Sequence, residues 1–350
     1  MTSRRGRPYA FIAFGAALVA AAVCVVLSVN ALLVLFGGFL FALVLRGLTD
    51  VAATHVRLPR GVCLAAVVLA LVGAMVAFVV VAGPRVVDEV VELMKRLPEA
   101  ARVLVERIRH TPIAQDLPSA DALPDTKAMG THAVAALGSS LEALGAFVVI
   151  FFVGVYGAAR PGDYARAVVA IAPERHRARV GRALEESSRQ VTRWLLGRLV
   201  AMLFVGISCA IAFAVLHVPL ALTLAVIAGL LTFVEYVGAV VSAIPPVLLA
   251  FTRSPMTAVW VLVLFTVLHV IEGYVLTPLL ARASVRLPPA FTLAGQLVLA
   301  SLVGPLGLTF STPLLVVVVA AVRTWREAEG DAGERSTDHV SRGGVRLEAT

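Results

Sequence analysis

The sequence predicts an all-α polytopic membrane protein with about eight transmembrane segments. Three observations carry that reading. Of 350 residues, 59% are hydrophobic and only 15% charged, and the mean hydropathy is +0.92; soluble domains carry roughly 25% charged residues. The apolar residues fall into runs near the ~20 residues that a helix needs to cross the hydrocarbon core. The polar residues collect between those runs in blocks of contrasting charge, and the formal net charge of +8 comes from the basic ones.

The first apolar run follows Arg4, Arg5 and Arg7 and extends from Tyr9 to Val29. That exceeds the core of a cleaved signal peptide and predicts a retained first span at 8–27. Ser28-Val29-Asn30 predicts a short turn before a second span at 31–45. Arg46, Asp50, Arg57 and Arg60 form the next connection, and a third span at 62–82 stops at Gly83-Pro84.

The insertion 84–139 holds 7 Lys/Arg and 8 Asp/Glu. Val87, Val90, Val91, Met94, Leu97, Val103, Leu104 and Ile108 recur there at helical spacing. The following TPIAQDLPSADALPDT is punctuated by Pro and Asp and predicts a loop. The insertion reads either as a small domain on the membrane surface or as a solvated helical hairpin. A fourth span at 141–159 precedes 160–198, which carries 9 Arg against 4 Asp/Glu. From Ala172-Pro173-Glu174 onward, Val180, Leu184, Val191 and Leu195 form an apolar stripe. A basic amphipathic helix of this kind lies on an anionic leaflet. The charge bias predicts cytoplasmic N- and C-termini, cytoplasmic 46–60 and 160–198, and an extracytoplasmic 84–139.

A fifth span, 199–216, opens the transport core, 199–325. The plan is therefore 1–83, three spans; 84–139, insertion; 140–198, span and basic helix; 199–325, core; 326–350, disordered tail. Two core segments, 220–251 and 288–322, are too long for one untilted span. The first is interrupted at Glu235-Tyr236-Val237-Gly238 and at Pro245-Pro246, the second at 303–307 and at Pro313. They are either tilted spans or re-entrant hairpins. Hairpins put Arg282 and Arg286 inside and only Arg253 outside, which the positive-inside rule mildly prefers. A cleaner span, 256–276, separates them. Paired Gly/Pro-broken segments point to a transport site.

Glu235 and Glu272 stand in otherwise apolar sequence, and His269 shares a helix face with Glu272. An acid at membrane depth is costly unless it faces protein or water, where it holds a proton, coordinates a cation or bonds a neighbouring helix. Gly238, Gly273, Gly304 and Gly307 permit close approach or tight reversal, and Pro245, Pro246, Pro278, Pro305 and Pro313 punctuate helices. These twelve positions are the candidate substrate- or ion-binding or gating residues. No catalytic, metal or cofactor site is predicted. The chain has no GxxxxGK[ST], HExxH or GxSxG pattern, and Cys24, Cys63 and Cys209 lie apart in apolar runs. It is not read as an enzyme, nor as a nucleic-acid binder, since no such motif is present. Transport, if any, is secondary or passive.

Three stretches in order resemble the AI-2E family of bacterial membrane proteins, named for the autoinducer-2 exporter. LLTFVEYVGAVVSAIPPVLLA at 230–250 is similar to F-I-P-x-x-G-x-x-x-x-x-I-P. HVIEGYVLTPLLARASVRLPP at 269–289 is similar to Q-x-x-E-x-x-x-x-x-P followed by a short basic stretch. LVGPLGLTFSTPLLVVV at 302–318 is similar to G-x-x-G-x-x-x-x-x-P. The resemblance spans about residues 8–325. Gly238, Pro245, Glu272, Pro278, Gly304, Gly307 and Pro313 match its pattern; Glu235 stands where Pro is common and His269 where Gln is. The resemblance implies a bacterial cytoplasmic-membrane transporter acting in the lipid bilayer on a small molecule or ion. It implies an exporter of a small polar molecule such as autoinducer-2, working by alternating access, or a sodium/proton antiporter. It also implies a homo-oligomer, plausibly a pentamer. A non-transporting scaffold docking through 84–139 and 160–198 is the remaining reading.

Overall fold

The computed structural model describes residues 7–56, 58–109, 140–280 and 288–323, and every regular element among them is helical. In chain order these are α1 (Arg7–His55), α2 (Arg60–Val81), α3 (Gly83–Arg109), α4 (Ser140–Ala159), α5 (Pro161–Ile171) and α6 (Glu174–Val215). Then come α7 (Ala221–Leu231), α8 (Val237–Arg253), α9 (Pro255–Ile271), a π turn (Glu272–Leu276), α10 (Thr277–Leu280), α11 (Pro289–Val303) and α12 (Pro305–Arg323). The predicted loop within 110–139, the basic stretch with Arg282 and Arg286, and the tail 326–350 lie outside the described residues.

The chain is an all-α polytopic membrane protein. Among the described residues, five helices are long and apolar enough to cross a bilayer: Val29–His55, Arg60–Val81, Arg177–Val215, Pro255–Leu276 and Pro305–Arg323. A sixth arises if α4 and α5, bent by 91° at Arg160, are taken together. Two features of these residues bear on the expected count of about eight. The expected turn at Ser28-Val29-Asn30 is absent, because α1 is one continuous helix of 49 residues; no Gly or Pro there forces a break. The core segments, in turn, divide into helices of 11, 17 and 15 residues, shorter than the ~20 a crossing needs. The expected boundary at 198/199 also carries no break, since α6 is a single 42-residue helix.

The helices share two ends. Gly38 lies against Val153, Gly154 against Phe41 and Gly157 against Ala42, so α1 and α4 run side by side in one direction. Both finish at the arginine-rich end, where α5 and the start of α6 lie. The opposite end is covered by α3, whose Leu93 and Ala100 pack with Cys209, Phe213 and Val218 around the end of α6. Thus α3 is a single amphipathic helix that runs through Pro98.

Two hairpins fill the space between. In the first, α7 and α8 are antiparallel. Arg253 donates to the His217 carbonyl at the open end, and Gly238 sits on Leu231 at the tip. The α6–α7 reversal is a Schellman-type cap: Val218 N donates to Phe213 O and His217 N to Ala214 O, with His217 at φ 52°. The free N-terminus of α7 is capped from α3, because Thr223 N donates to Glu89 Oε2 at 3.0 Å. Arg107 of α3 lies over the Phe251 ring at 5.7 Å.

In the second hairpin, α11 and α12 are antiparallel about Gly304, at φ 71°. Gly307 sits on Leu299, Gln296 bonds Thr312, and Gly295 lies against Leu315. From Phe310, which meets Phe36 and Gly37, α12 runs toward Val316 and Ala320, packed with Leu43 and Val191. This hairpin therefore opens at the arginine-rich end, while the first opens at the α3 end.

The expected interruptions at Pro245-Pro246 and Pro313 are absent: α8 runs unbroken through both prolines, and α12 runs through Pro313. Each Pro removes one N–H, and the packed neighbours around buried Pro246 and Pro313 hold the helix. Pro305 opens α12, where its missing N–H costs nothing. The π turn lies just before Pro278 and widens the backbone where the ring would otherwise crowd the carbonyl four residues back.

A Cβ at Gly238 or Gly307 would overlap the carbonyl oxygen of Leu231 or Leu299, whereas one at Gly273 meets nothing within 4 Å. Gly238→Ala and Gly307→Ala are therefore expected to destabilise by about 2 kcal/mol or more, and Gly273→Ala by less than about 0.5 kcal/mol. Thermal unfolding of the purified chain in detergent checks the contrast.

Candidate functional site

The break between α7 and α8 exposes five successive carbonyls, from Thr232 to Tyr236, without a regular helix to satisfy them. At membrane depth each needs a partner. The chain supplies one for every carbonyl. Val234 O accepts from Gly238 N and Tyr236 O from Val240 N. Glu235 O accepts from Val237 N at 2.7 Å and from Gln296 Nε2 at 2.9 Å. Arg198, from the middle of α6, takes the other two: Nη2 donates to Thr232 O, and Nε donates to Phe233 O at 3.3 Å.

The third face of the same guanidinium meets Glu272. Arg198 Nη1 and Glu272 Oε1 are 3.1 Å apart, with side chains only 11% and 13% exposed. An unpaired charge at such a position is strongly unfavourable, so each partner permits the other. Glu272 is delivered by the π turn at the end of α9. Glu235 lies within electrostatic reach of both Arg198 and Glu272. Trp194 packs edge-on against Phe233, 6.2 Å between ring centres. Tyr236 closes the tip at φ 60°, ψ −62°, a region that costs a non-glycine residue of order 1–3 kcal/mol.

The second hairpin meets this tip at its own midpoint. Gln296, 1% exposed, donates through Nε2 both to Glu235 O and to Thr312 Oγ1, the latter at 3.3 Å. Its Oε1 is buried without a partner among the described residues. The site is thus the crossing of two opposed hairpins, with two carboxylates, one guanidinium and one amide inside an apolar bundle. Arg198, Glu272 and Gln296 Nε2 are engaged within the chain, so a polar solute or ion entering here would have to exchange with existing hydrogen bonds. Any such exchange loosens a hairpin tip.

Of the sequence-predicted residues, the structure brings Glu235, Gly238 and Glu272 to this crossing. Gly304, Pro305 and Gly307 form the other hairpin's tip, away from it. Pro245, Pro246 and Pro313 lie within helices, and Gly273 and Pro278 are exposed near the π turn. His269 stays on its own helix: Nδ1 bonds Phe265 O at 2.9 Å, the ring stacks on Phe265 at 4.5 Å, and Nε2 is buried without a partner among the described residues. Sequence reasoning missed Arg198, Trp194, Gln296 and Thr312. A signal existed for Gln296, a lone amide in FTLAGQLVLA. Among the described residues no cluster of three or more His, Cys, Asp or Glu is placed to hold a metal.

Residues 12–327 match the profile of the AI-2E family transporter. YueF of Bacillus subtilis is 26% identical over 152 residues, covering 43% of this chain and 41% of YueF. YhhT of Escherichia coli K12 is 30% identical over 146 residues, 41% of each chain. PerM of the same strain is 24% identical over 157 residues, 44% of each. Their names carry provisional transport-protein and permease designations. The matched stretch spans less than half the length of each relative.

Removing one member of the buried pair strands the other. Arg198→Gln is expected to destabilise by about 3–5 kcal/mol, and adding Glu272→Gln is expected to recover part of that loss. Unfolding midpoints of the two single variants and the double variant measure the coupling.

Proposed function

The chain belongs to the AI-2E family of transporters, and from that membership we propose that it is a secondary transporter that moves a small polar molecule across the cytoplasmic membrane of a bacterium. Export of a signal such as autoinducer-2 is the direction and substrate class this reading favours, by alternating access. The observation that carries it is the Arg198 clamp: one guanidinium ties a broken hairpin tip to Glu272 in a nearly dry environment. A polyhydroxylated solute offers both donors and acceptors. It competes with Thr232 O and Phe233 O for Arg198, and with Arg198 for Glu272. The binding energy is thereby spent on releasing a tip, which is what couples occupancy to a change of access. The termini are assigned to the cytoplasm, and the protein acts as a homo-oligomer, pentameric by family resemblance. No catalytic step is part of this proposal.

A second reading rests on a specific observation. Two carboxylates, Glu235 and Glu272, surround a single guanidinium. An uncompensated carboxylate at membrane depth favours a proton or a cation, which suits sodium/proton exchange.

A flux screen of polar solutes and ions in proteoliposomes separates the readings. Glu272→Gln is expected to cut solute flux, normalised to the amount of folded protein reconstituted, by at least about tenfold. Unchanged flux removes Glu272 from the mechanism. Sodium-dependent dequenching in everted vesicles, lost in Glu235→Gln, would favour exchange; its absence in the native chain excludes it.

A further inference from the structure

The arginine-rich end carries a cavity of mixed charged and apolar lining that the hairpin crossing does not use. It lies between α1, α5 and α6 and has a volume of about 770 Å³. Arg46 of α1 and Arg193 of α6 line it, both exposed. Neither is held in an ion pair among the described residues, whereas the neighbouring Arg189 is engaged by Glu185 and Glu186 at 2.7 and 3.4 Å. The acid of Asp50 also faces the cavity, so two free guanidiniums stand against one free carboxylate. The first turn of α5, at Pro161 and Gly162, forms part of the same wall. Two guanidiniums without carboxylate partners among the described residues, lining one cavity, favour a phosphate group.

A second feature separates a lipid from a free phosphate. A groove of about 460 Å³ between α1 and α2 is lined almost wholly by apolar side chains. Val51 lines both the groove and the charged cavity, so the two adjoin. A charged chamber opening onto an apolar groove fits an amphiphile, with a head in one and a chain along the other. Soluble phosphate would leave the groove empty.

We propose that the cavity between α1, α5 and α6 binds the phosphate headgroup of an anionic phospholipid, with Arg46 and Arg193 on the phosphate and an acyl chain leaving past Val51. Arginines at one end of a span place the headgroup at the level of the membrane interface. The site is independent of the transport reading, since it shares no residue with the hairpin crossing.

The test is thermal unfolding of the purified full-length chain in neutral detergent with phosphatidylglycerol, phosphatidylcholine or soluble glycerol phosphate added. Phosphatidylglycerol is expected to raise the midpoint by on the order of 5 °C near saturation. Phosphatidylcholine and glycerol phosphate should do little. Arg46→Gln/Arg193→Gln should lose the response and Arg46→Lys/Arg193→Lys should keep most of it. Each single Gln variant, on an exposed side chain, should show a reduced response. An equal response to phosphatidylcholine, or an undiminished one in the Gln variants, overturns the proposal. Glycerol phosphate matching phosphatidylglycerol overturns the lipid assignment.

Discussion

The structure depends on how one arginine satisfies broken backbone inside an apolar bundle. An interrupted helix at membrane depth leaves carbonyls that neither lipid nor water will take. Arg198 takes two of them and is itself neutralised by Glu272. Removing either charge leaves a buried ion, so the break, the arginine and the acid stand or fall together. That interdependence accounts for an arginine in the middle of a continuous 42-residue helix. It also accounts for the π turn, which presents Glu272 where α9 would otherwise run on.

Around this interaction two hairpins are built on one plan and aimed oppositely. Each has a short helix, a tip sealed by a glycine seated on a carbonyl, and a longer returning helix. The tip of the first is held by α6, by the π turn and by the midpoint of the second. The open end of the first is closed by Arg253 and covered by α3, which caps α7 through Glu89. Only side-chain bonds, not a continuous helix, fix the crossing. The transport proposal requires a second packing of this crossing within reach of a bound solute.

Composition and run length were enough to read the membrane class, and the breaks at Glu235–Gly238 and around Gly304 were legible from Gly and acid in apolar sequence. The start of the basic helix at Pro173-Glu174 was also legible, because Pro173 cannot continue a helix from the preceding chain and Glu174 is an acid in the first turn. Three things were not. Prolines 245, 246 and 313 looked like breaks, yet each deletes one bond that packing offsets. Ser28-Val29-Asn30 looked like a turn, yet two polar residues do not end a helix when apolar residues continue on both sides. Arg198 looked like the last residue of a basic surface segment. Its role depends on carbonyls more than thirty residues away, a pairing that no local pattern encodes.

Hydrogen exchange at the amides of Thr232–Gly238, in the native chain and in Arg198→Gln, tests the central claim most directly. If the guanidinium holds the tip, exchange there should accelerate by at least about tenfold in the variant, while the amides of α9 at 258–268 stay unchanged. Equal exchange at the tip in both proteins would contradict the account, because the broken backbone would then be held without Arg198.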